Sequence, residues 1–408
     1  MAKWIDLGDI NKYAFFPFGG GILAIIFSII LGKMKSNLRR HPLLRGMNSG
    51  LGMAVAFVPY LIIKKRSQAA NKNIRTDSEV FINMLEDERK KVKKNKYLLL
   101  LICSFFEFLQ KYLTFSIIHN EHNNVWIFNL FFFTIFSRFI LNQKFYRHQY
   151  LSITVIVILL LLSIFFYDLE AIKEKNGIYF FFSLFIELVY SVNYVLNKYL
   201  MEKKFCSPFE VCSFEGLFII IFNLVLASIL SFVEIPKNSG ALKVFKHLEY
   251  DGKIYIEKIK DYVEAFDGTE LLSYFVNIIY KVIFNLCCLL TINHFTPAHT
   301  IIILFFDNMQ YFVETTMRGN TVLTIFIFIF LFFFILVFTE MIELNFCEIS
   351  KNTKKNIRER ALKEEKEGDE DVDSFKESRS GNRRVELIDG LLVDIASNPS
   401  INDNDSNI

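Results

Sequence analysis

The sequence lacks the short motifs that mark common catalytic and nucleotide-binding sites. No nucleophile elbow, phosphate-binding Walker loop, HExxH helix or Rossmann glycine set occurs in its 408 residues. Because no phosphate-cradling loop is present, we do not expect the chain alone to drive transport with ATP. The sequence also shows no nucleophile paired with a base. An intramembrane enzyme is therefore only a minor alternative. We therefore predict a protein that is not an enzyme and needs no cofactor.

Cysteine and histidine are also sparse. The six cysteines lack the spacing of a disulfide framework or a zinc site. Most of them lie in or beside apolar runs, so we expect them to be buried as small hydrophobic residues. His119 and His122 stand three residues apart but have too few neighbouring ligands for a metal ion. We predict no metal site.

Long apolar runs dominate what is present, while the net charge of +3 excludes nothing by itself. Apolar residues make up 52% of the chain, in runs of about 20 residues separated by short polar gaps. In hydrocarbon such runs can form only helices, since they are too long for barrel strands. We predict an all-α membrane protein with ten transmembrane helices, at 13–32, 42–63, 97–117, 124–142, 149–167, 178–199, 211–234, 271–292, 297–316 and 321–343. The first run lacks a signal-peptide cleavage site, so we interpret it as a span.

The spans divide into two equal sets, with 13–167 as the first five-helix half and 168–343 as the second. Since five is an odd number, two such halves must enter the membrane in opposite orientations. This is the inverted-repeat plan of many secondary transporters. We therefore predict two inverted five-helix repeats.

Polar segments flank and interrupt these halves. Residues 64–96 form a loop with eleven Lys and Arg residues, and 235–270 form a polar loop that is open to partial helix formation. The charged tail at 344–408 has too little apolar content to offset ordering entropy, so we predict disorder. Placing the basic loops in the cytosol puts both termini there, with 1–12 as a cytosolic N-terminus. Either an organelle membrane or the plasma membrane fits this topology.

Ionisable residues inside the predicted spans are the main functional candidates, because each is costly in hydrocarbon and rarely faces lipid. Glu107 and Lys111 share one helix face at a spacing of four, in the favourable order for an ion pair. Lys281 and Asp307 lie in the eighth and ninth spans, which correspond to the third and fourth under the repeat. We expect these residues to converge on one cavity.

Further polar residues extend the same faces. Asn285 follows Lys281 by four residues, and Asn308 follows Asp307. In the sixth span a polar stripe at three- and four-residue spacing begins at Glu187 and continues through Tyr190, Asn193, Tyr194 and Asn197.

We assign these residues to two roles. The predicted substrate-binding residues are Lys111, Lys281, Asn285, Tyr190, Asn193, Tyr194 and Asn308. The predicted sites for a coupling proton or cation are Glu107, Glu187 and Asp307. In the alternative interpretation these side chains pair only with one another and hold helices together, and this stays open for Glu107 and Lys111.

Three segments resemble the drug/metabolite transporter superfamily, including its EamA-like, nucleotide-sugar and triose-phosphate branches. They are VWIFNLFFFTIFSRFILNQKFYRHQYLS at 125–152, YSVNYVLNKYLMEKKFCSPFEVCSFEGL at 190–217 and FTPAHTIIILFFDN at 295–308. The resemblance implies ten helices in two inverted halves and a transport activity. The Gly-Ala-Leu-Asn-Lys motif of the GDP-sugar branch would fall at LFFDNM, where only Asn308 matches. The lysine that nucleotide-sugar members have in the fourth span is absent from 129–132.

Together these features predict a multi-pass secondary transporter that moves a small polar or anionic organic solute by alternating access. A channel is a weaker variant of this prediction. The alternative is a non-transporting scaffold or receptor-like membrane protein that acts through its cytosolic loop and tail. The expected partners are a small-molecule solute and the lipid bilayer, with no nucleic acid, and a homodimer is left open.

Overall fold

The computed structural model describes residues 5–7, 12–33, 41–74, 95–117, 126, 128–163, 178–237, 239, 245–250, 253–259, 262, 268–309, 321–344, 353, 356 and 359–360. The chain divides into two compact units, Met1–Lys354 and Lys355–Ile408. Most of the predicted basic loop and nearly all of the predicted disordered tail lie outside the described residues.

Helices occur in all ten apolar segments. Their bounds are α1 (Phe15–Lys33), α2 (Pro42–Ala54), α3 (Phe57–Ile74), α4 (Lys96–Ser116), α5 (Phe128–Ile140), α6 (Arg147–Ser163), α7 (Ile178–Lys203), α8 (Pro208–Leu230), α9 (Gly268–His294), α10 (Thr300–Asp307) and α11 (Thr321–Phe338). Five helical segments are long and apolar enough to cross a membrane, namely Pro42–Arg66, Lys96–Ser116, Phe180–Lys203, Pro208–Leu230 and Leu271–His294. The other apolar helices are shorter within the described residues.

The outer faces of these helices are apolar, as a membrane protein requires. On α9, Leu272, Phe275 and Ile279 are all more than half exposed, at helical spacing. The opposite face of the same helix buries Tyr280 and Phe284. A large exposed apolar surface of this kind suits contact with lipid rather than with water.

The described structure is mostly helical, as predicted, and two small sheets add to the predicted all-α fold. Strand β1 (Ile5–Leu7) pairs antiparallel with β5 (Ile342–Leu344), so part of the predicted N-terminal segment is a strand. In the polar loop, β2 (Glu234–Ile235), β3 (Leu248–Tyr250) and β4 (Lys253–Tyr255) form a sheet in the order β2-β4-β3. The sequence LEYDGKIY carries the Asp-Gly pair that favours a tight hairpin, and this signal outweighs any local helical tendency.

The second predicted span is interrupted at a turn. Helix α2 ends at Ala54 and α3 begins at Phe57. Pro59 has no N–H to bond the carbonyl of Val55, and that carbonyl instead accepts from the backbone N–H of Val58 at 3.2 Å. The break follows directly after Met53, whose side chain contacts the polar interior described below.

Two glycines allow α2 and α8 to pack very closely. A Cβ added to Gly216 would lie 2.6 Å from the carbonyl oxygen of Gly50 and 2.8 Å from the carbonyl carbon of Met53. Small residues permit such close helix crossings in membranes. Around this crossing, α4 packs on α7 and α8, α5 packs on α7, α9 packs on α1 and α2, α10 packs on α1, and α6 packs on α11.

Candidate functional site

A buried ion pair lies on α4. Nζ of Lys111 is 2.7 Å from Oε1 of Glu107, and both side chains are less than one tenth exposed. Nδ2 of Asn193 on α7 donates to Oε2 of Glu107 at 2.8 Å. Nζ of Lys111 also lies 3.1 Å from the sulfur of Met53 on α2. The structure therefore brings together three predicted site residues at the junction of three helices.

Glu215 adds a second carboxylate to this cluster, and the sequence reasoning missed it. Its side chain is 1% exposed and lies beside the amides of Asn193 and Asn197, with Glu107 nearby. The seventh span was predicted to begin at 211, which put Glu215 at its end. Ser207 caps α8 by accepting from the N–H of Glu210, so the helix begins at Pro208 and Glu215 lies two turns inside. The Ser-Pro pair was the signal for this earlier start.

The cluster around Glu107 contains more carboxylates than ammonium groups. Lys111 faces two acidic side chains, and Oε1 of Glu215 has no hydrogen-bond partner within the part of the chain that the structure describes. The amide of Asn197 is buried beside the Glu215 carboxylate. Two carboxylates and one ammonium group therefore share this part of the interior.

A cavity of about 180 Å³ lies beside this cluster. Its lining comes from α4, α5, α7 and the end of α10, and its polar members are Gln110, Thr114, Asn129, Ser183, Glu187, Asp307 and Asn308. Trp126 and Tyr190 add aromatic surface to the wall. Three predicted site residues on two distant segments, Glu187, Asp307 and Asn308, thus share one cavity with Tyr190.

Each carboxylate of the cavity is held by neutral donors. Nδ2 of Asn129 donates to Oε2 of Glu187 at 2.6 Å, and Oδ1 of Asn129 in turn accepts from the hydroxyl of Ser191 at 2.8 Å. Oδ1 of Asp307 accepts from the hydroxyl of Tyr280 at 2.6 Å and from that of Ser28 at 3.2 Å. The sequence reasoning gave none of these four donors a role, because it could not identify which helices pack together.

Aromatic rings close the floor of the cavity. The rings of Tyr190 and Tyr194 lie 4.3 Å apart between centroids, and Tyr194 stacks on Phe133 at 6.2 Å. All three side chains are buried. Tyr194 therefore packs against Tyr190 and does not itself line the cavity.

Lys281 and Asn285 lie apart from the cavity lining. Nζ of Lys281 lies 4.7 Å from the ring centroid of Tyr280 and 5.5 Å from that of Phe284. Nδ2 of Asn285 bonds the carbonyl oxygen of Lys281 on its own helix at 2.7 Å. A Cβ added to Gly52 would lie 2.9 Å from Cβ of Lys281, so α9 packs tightly on α2 at this point. No acidic side chain among the described residues is within ion-pair distance of Lys281.

Histidines in the described ranges have structural contacts. His299 accepts from or donates to the hydroxyl of Thr296 at 2.9 Å, and His294 stacks on Tyr13 with ring centroids 3.9 Å apart. Among the described residues, no group of three or more His, Cys, Asp or Glu could hold a metal ion. His119 and His122 lie outside those residues.

Comparison with known proteins gives no assignment, since no family model matches the chain and no curated protein is significantly similar to it. The resemblance to the drug/metabolite transporter superfamily therefore rests on the three sequence segments and stays a prediction.

Proposed function

We propose that the protein is a multi-pass secondary transporter that moves a small polar organic solute by alternating access. The observation that supports this most directly is the polar cavity, which is lined by two acidic side chains and lies between helices of an apolar, membrane-type exterior. Ionisable residues inside a membrane normally mark a solute or ion pathway. The neighbouring ion pair of Glu107 and Lys111 provides a second group of buried charges.

The helix packing supports two inverted repeats. We number the helical segments as spans one to ten, counting α2 and α3 together as span two. Adding five to the number of a span in the first half then gives the number of its partner in the second half. The contact of α4 with α7 then corresponds to that of α9 with α1, and the contact of α5 with α7 to that of α10 with α1. The contact of α8 with α4 corresponds to that of α2 with α9, while α2 with α8 and α6 with α11 each correspond to themselves. A pseudo-twofold axis between the halves predicts this pattern.

The pairing of β1 with β5 supports an even number of crossings. One strand precedes α1 and the other follows α11, so the two ends of the helical region lie on the same face. Ten crossings satisfy this condition.

Contacts at the two ends of the bundle support the proposed orientation. At one end, Lys96 at the start of α4 pairs with Glu210 at the start of α8, with Nζ 2.8 Å from Oε1. The exposed residues Lys64, Lys65 and Arg66 extend α3 at this end. At the other end, the backbone N–H of Lys246 in the polar loop donates to the carbonyl oxygen of Ser116, the last residue of α4, at 2.7 Å. The positive-inside rule assigns the first end to the cytosol.

The cavity belongs to the opposite end of the bundle. Thr114 lies in the last turn of α4, Trp126 precedes α5, Ser183 lies in the second turn of α7 and Asn308 follows α10. The stacked rings of Tyr194 and Phe133 lie between the cavity and the cytosolic end. This arrangement fits a state in which solute reaches the cavity from the non-cytosolic side.

Transport is tested with the purified full-length protein. A metabolite library is first screened for solutes that raise Tm, and each hit is then assayed for counterflow in proteoliposomes. We expect saturable uptake that the same solute inside the vesicles stimulates. Uptake that does not saturate would instead indicate a channel. If no solute raises Tm and none is exchanged, the scaffold alternative is favoured.

A further inference from the structure

The cavity beside α4 has an acidic lining, with no cationic member among the residues that the structure describes. Glu187 and Asp307 are on its wall, and no Lys, Arg or His is found among the lining residues that the structure describes. The buried lysines of the surrounding helices are elsewhere: Lys111 is neutralised by Glu107, Lys281 lies against aromatic rings, and Lys198 pairs with Glu202 near the end of α7. A solute in this cavity therefore meets two acidic side chains and no cationic one among the described wall residues.

Unused acceptors remain on both carboxylates. Asn129 occupies Oε2 of Glu187, whereas Oε1 has no hydrogen-bond partner in the described ranges. Tyr280 and Ser28 both donate to Oδ1 of Asp307, whereas Oδ2 has none there. An ammonium group has three N–H donors and no acceptor, so it complements this arrangement.

Tyr190 provides independent evidence for a bound group. Its side chain lines the cavity and is 7% exposed, and among the described residues its hydroxyl has only the hydroxyl of Tyr194 as a side-chain neighbour. A phenol hydroxyl can both donate and accept, so one of these capacities remains for a ligand in the cavity. The ring of Tyr190, together with the indole of Trp126, also offers the π-surface that attracts organic cations.

The size of the cavity limits the solute. At about 180 Å³, it is comparable to cavities that hold a single aromatic ring. A nucleotide sugar is far too large for this space, whereas an alkylamine or an arylalkylamine fits.

We propose that the cavity binds a small organic cation whose ammonium group is held by the carboxylates of Glu187 and Asp307. This inference rests on the proposed transport function and adds the chemical class of the solute. Glu187 lies on α7 and Asp307 ends α10, so the bound ammonium would link two helices that contact different neighbours in the bundle. The charge of the ligand follows from the wall residues, and its size follows from the volume of the cavity.

Three probes of similar shape and different charge test the proposal: benzylamine, benzyl alcohol and benzoate. Binding to the full-length protein in detergent is measured by the shift in Tm and by calorimetry at pH 7. We expect benzylamine to bind, and benzyl alcohol and benzoate to bind at least tenfold more weakly. Binding of benzoate in preference to benzylamine would overturn the proposal.

Isosteric variants locate the binding site. Glu187→Gln and Asp307→Asn each remove one charge while keeping the shape and most hydrogen bonds, and each should weaken benzylamine binding by about tenfold or more. Glu202→Gln is the matched control, since it makes the same change on the same helix about 22 Å along the axis from Glu187. Equal benzylamine affinity in wild type and in both cavity variants would contradict the assignment.

Counterflow separates this inference from the proposed function. If benzylamine binds through Glu187 and Asp307 but is not exchanged across proteoliposomes and no other solute is, the cation site stands and the transport function fails. If another solute is exchanged while benzylamine neither binds nor competes, the transport function stands and the cation site fails.

Discussion

Asn193 and Glu107 join two helices through one carboxylate. Nδ2 of Asn193 on α7 donates to Oε2 of Glu107 on α4 at 2.8 Å, while Lys111 binds Oε1 of the same carboxylate at 2.7 Å. The ion pair is therefore not confined to its own helix. Under the proposed repeat, α4 and α7 belong to different halves, so this carboxylate lies where alternating access requires contacts to break and form.

Removing only one partner of the ion pair should destabilise the protein strongly. Lys111→Met leaves the Glu107 carboxylate charged, buried and held only by Asn193, which we expect to cost about 3–5 kcal/mol of unfolding free energy. The double variant Glu107→Gln/Lys111→Met leaves neither partner of this pair unpaired and should recover part of the loss, although the buried Glu215 carboxylate then lacks Lys111. Thermal unfolding of the three proteins in the same detergent measures this. Additive losses in the double variant would contradict a direct interaction between the two side chains.

The same double variant decides whether the pair has a role in transport. We expect it to be folded but inactive in counterflow, because the proposed transport cycle uses the two charges, whereas folding needs only that neither partner is left unpaired. If the folded double variant exchanges solute at the wild-type rate, the pair is structural and only holds α4 to its neighbours.

Sequence periodicity could predict which side chains share a helix face, but not which distant helices meet. The spacing of four predicted the pairing of Glu107 with Lys111, and the stripe on the sixth span predicted that Asn193 faces the interior. The donors to Glu187 and Asp307 come from other helices, and their positions depend on how α5, α1 and α9 pack. Close packing is set by features such as Gly216, whose consequence appears only once its neighbour is known.

Lys281 illustrates the same limit. The repeat predicted that it would converge with Asp307 on one cavity, and Asp307 does line the cavity while Lys281 does not. The rings of Tyr280 and Phe284 lie beside the ammonium, and Gly52 holds its backbone close to α2.

Lys281→Ala should abolish uptake while the protein still inserts and folds. The ammonium has no acidic partner within ion-pair distance among the described residues, so its removal leaves no carboxylate newly unpaired, and Tm should be unchanged or higher. An intramembrane lysine that does not stabilise the fold is expected to serve the transport cycle, here by neutralising Asp307 when the solute leaves. Lys253→Ala, which removes an exposed lysine of β4, is the control. Normal uptake by Lys281→Ala in reconstituted vesicles would contradict this role.

Two glycine variants test the crossing of α2 and α8. In Gly216→Ala the new methyl group meets backbone atoms of Gly50 and Met53, so the helices must separate, and we expect a loss of about 1–3 kcal/mol. In Gly46→Ala the nearest atom, at 2.5 Å, is Oδ1 of Asn223, a side chain that can rotate. The helix propensity of Ala gains up to about 1 kcal/mol over Gly, so this second variant should be nearly neutral. Comparable Tm values for the two variants would contradict the backbone contact.

The polar loop is fastened to α2 by a buried carboxylate. Oε2 of Glu257, which is fully buried, accepts from the backbone N–H of Leu43 at 3.0 Å, and its Oε1 lies 2.9 Å from Nδ1 of His41. Glu257 thus caps a helix whose own N-cap residue provides no side-chain hydrogen bond. The ring of Tyr262 packs edge-on against that of His41, with centroids 5.4 Å apart, so it adds a second contact at the start of α2.

Alkaline pH should weaken the contact between the polar loop and α2, because the phenol of Tyr262 then tends to ionise. Burial, and then the nearby Glu257 carboxylate, raise the pKa of the Tyr262 phenol above its ordinary value. An acid whose pKa is raised by folding keeps its proton in the native state, so its contribution to stability is complete below the ordinary pKa of about 10 and falls as pH rises above it. Tyr262→Phe cannot ionise, so the Tm difference between wild type and this variant should be constant from pH 7 to 9 and should shift in favour of the variant above pH 10. Parallel Tm curves for the two proteins across that range would show that the phenol is not protected by burial beside Glu257.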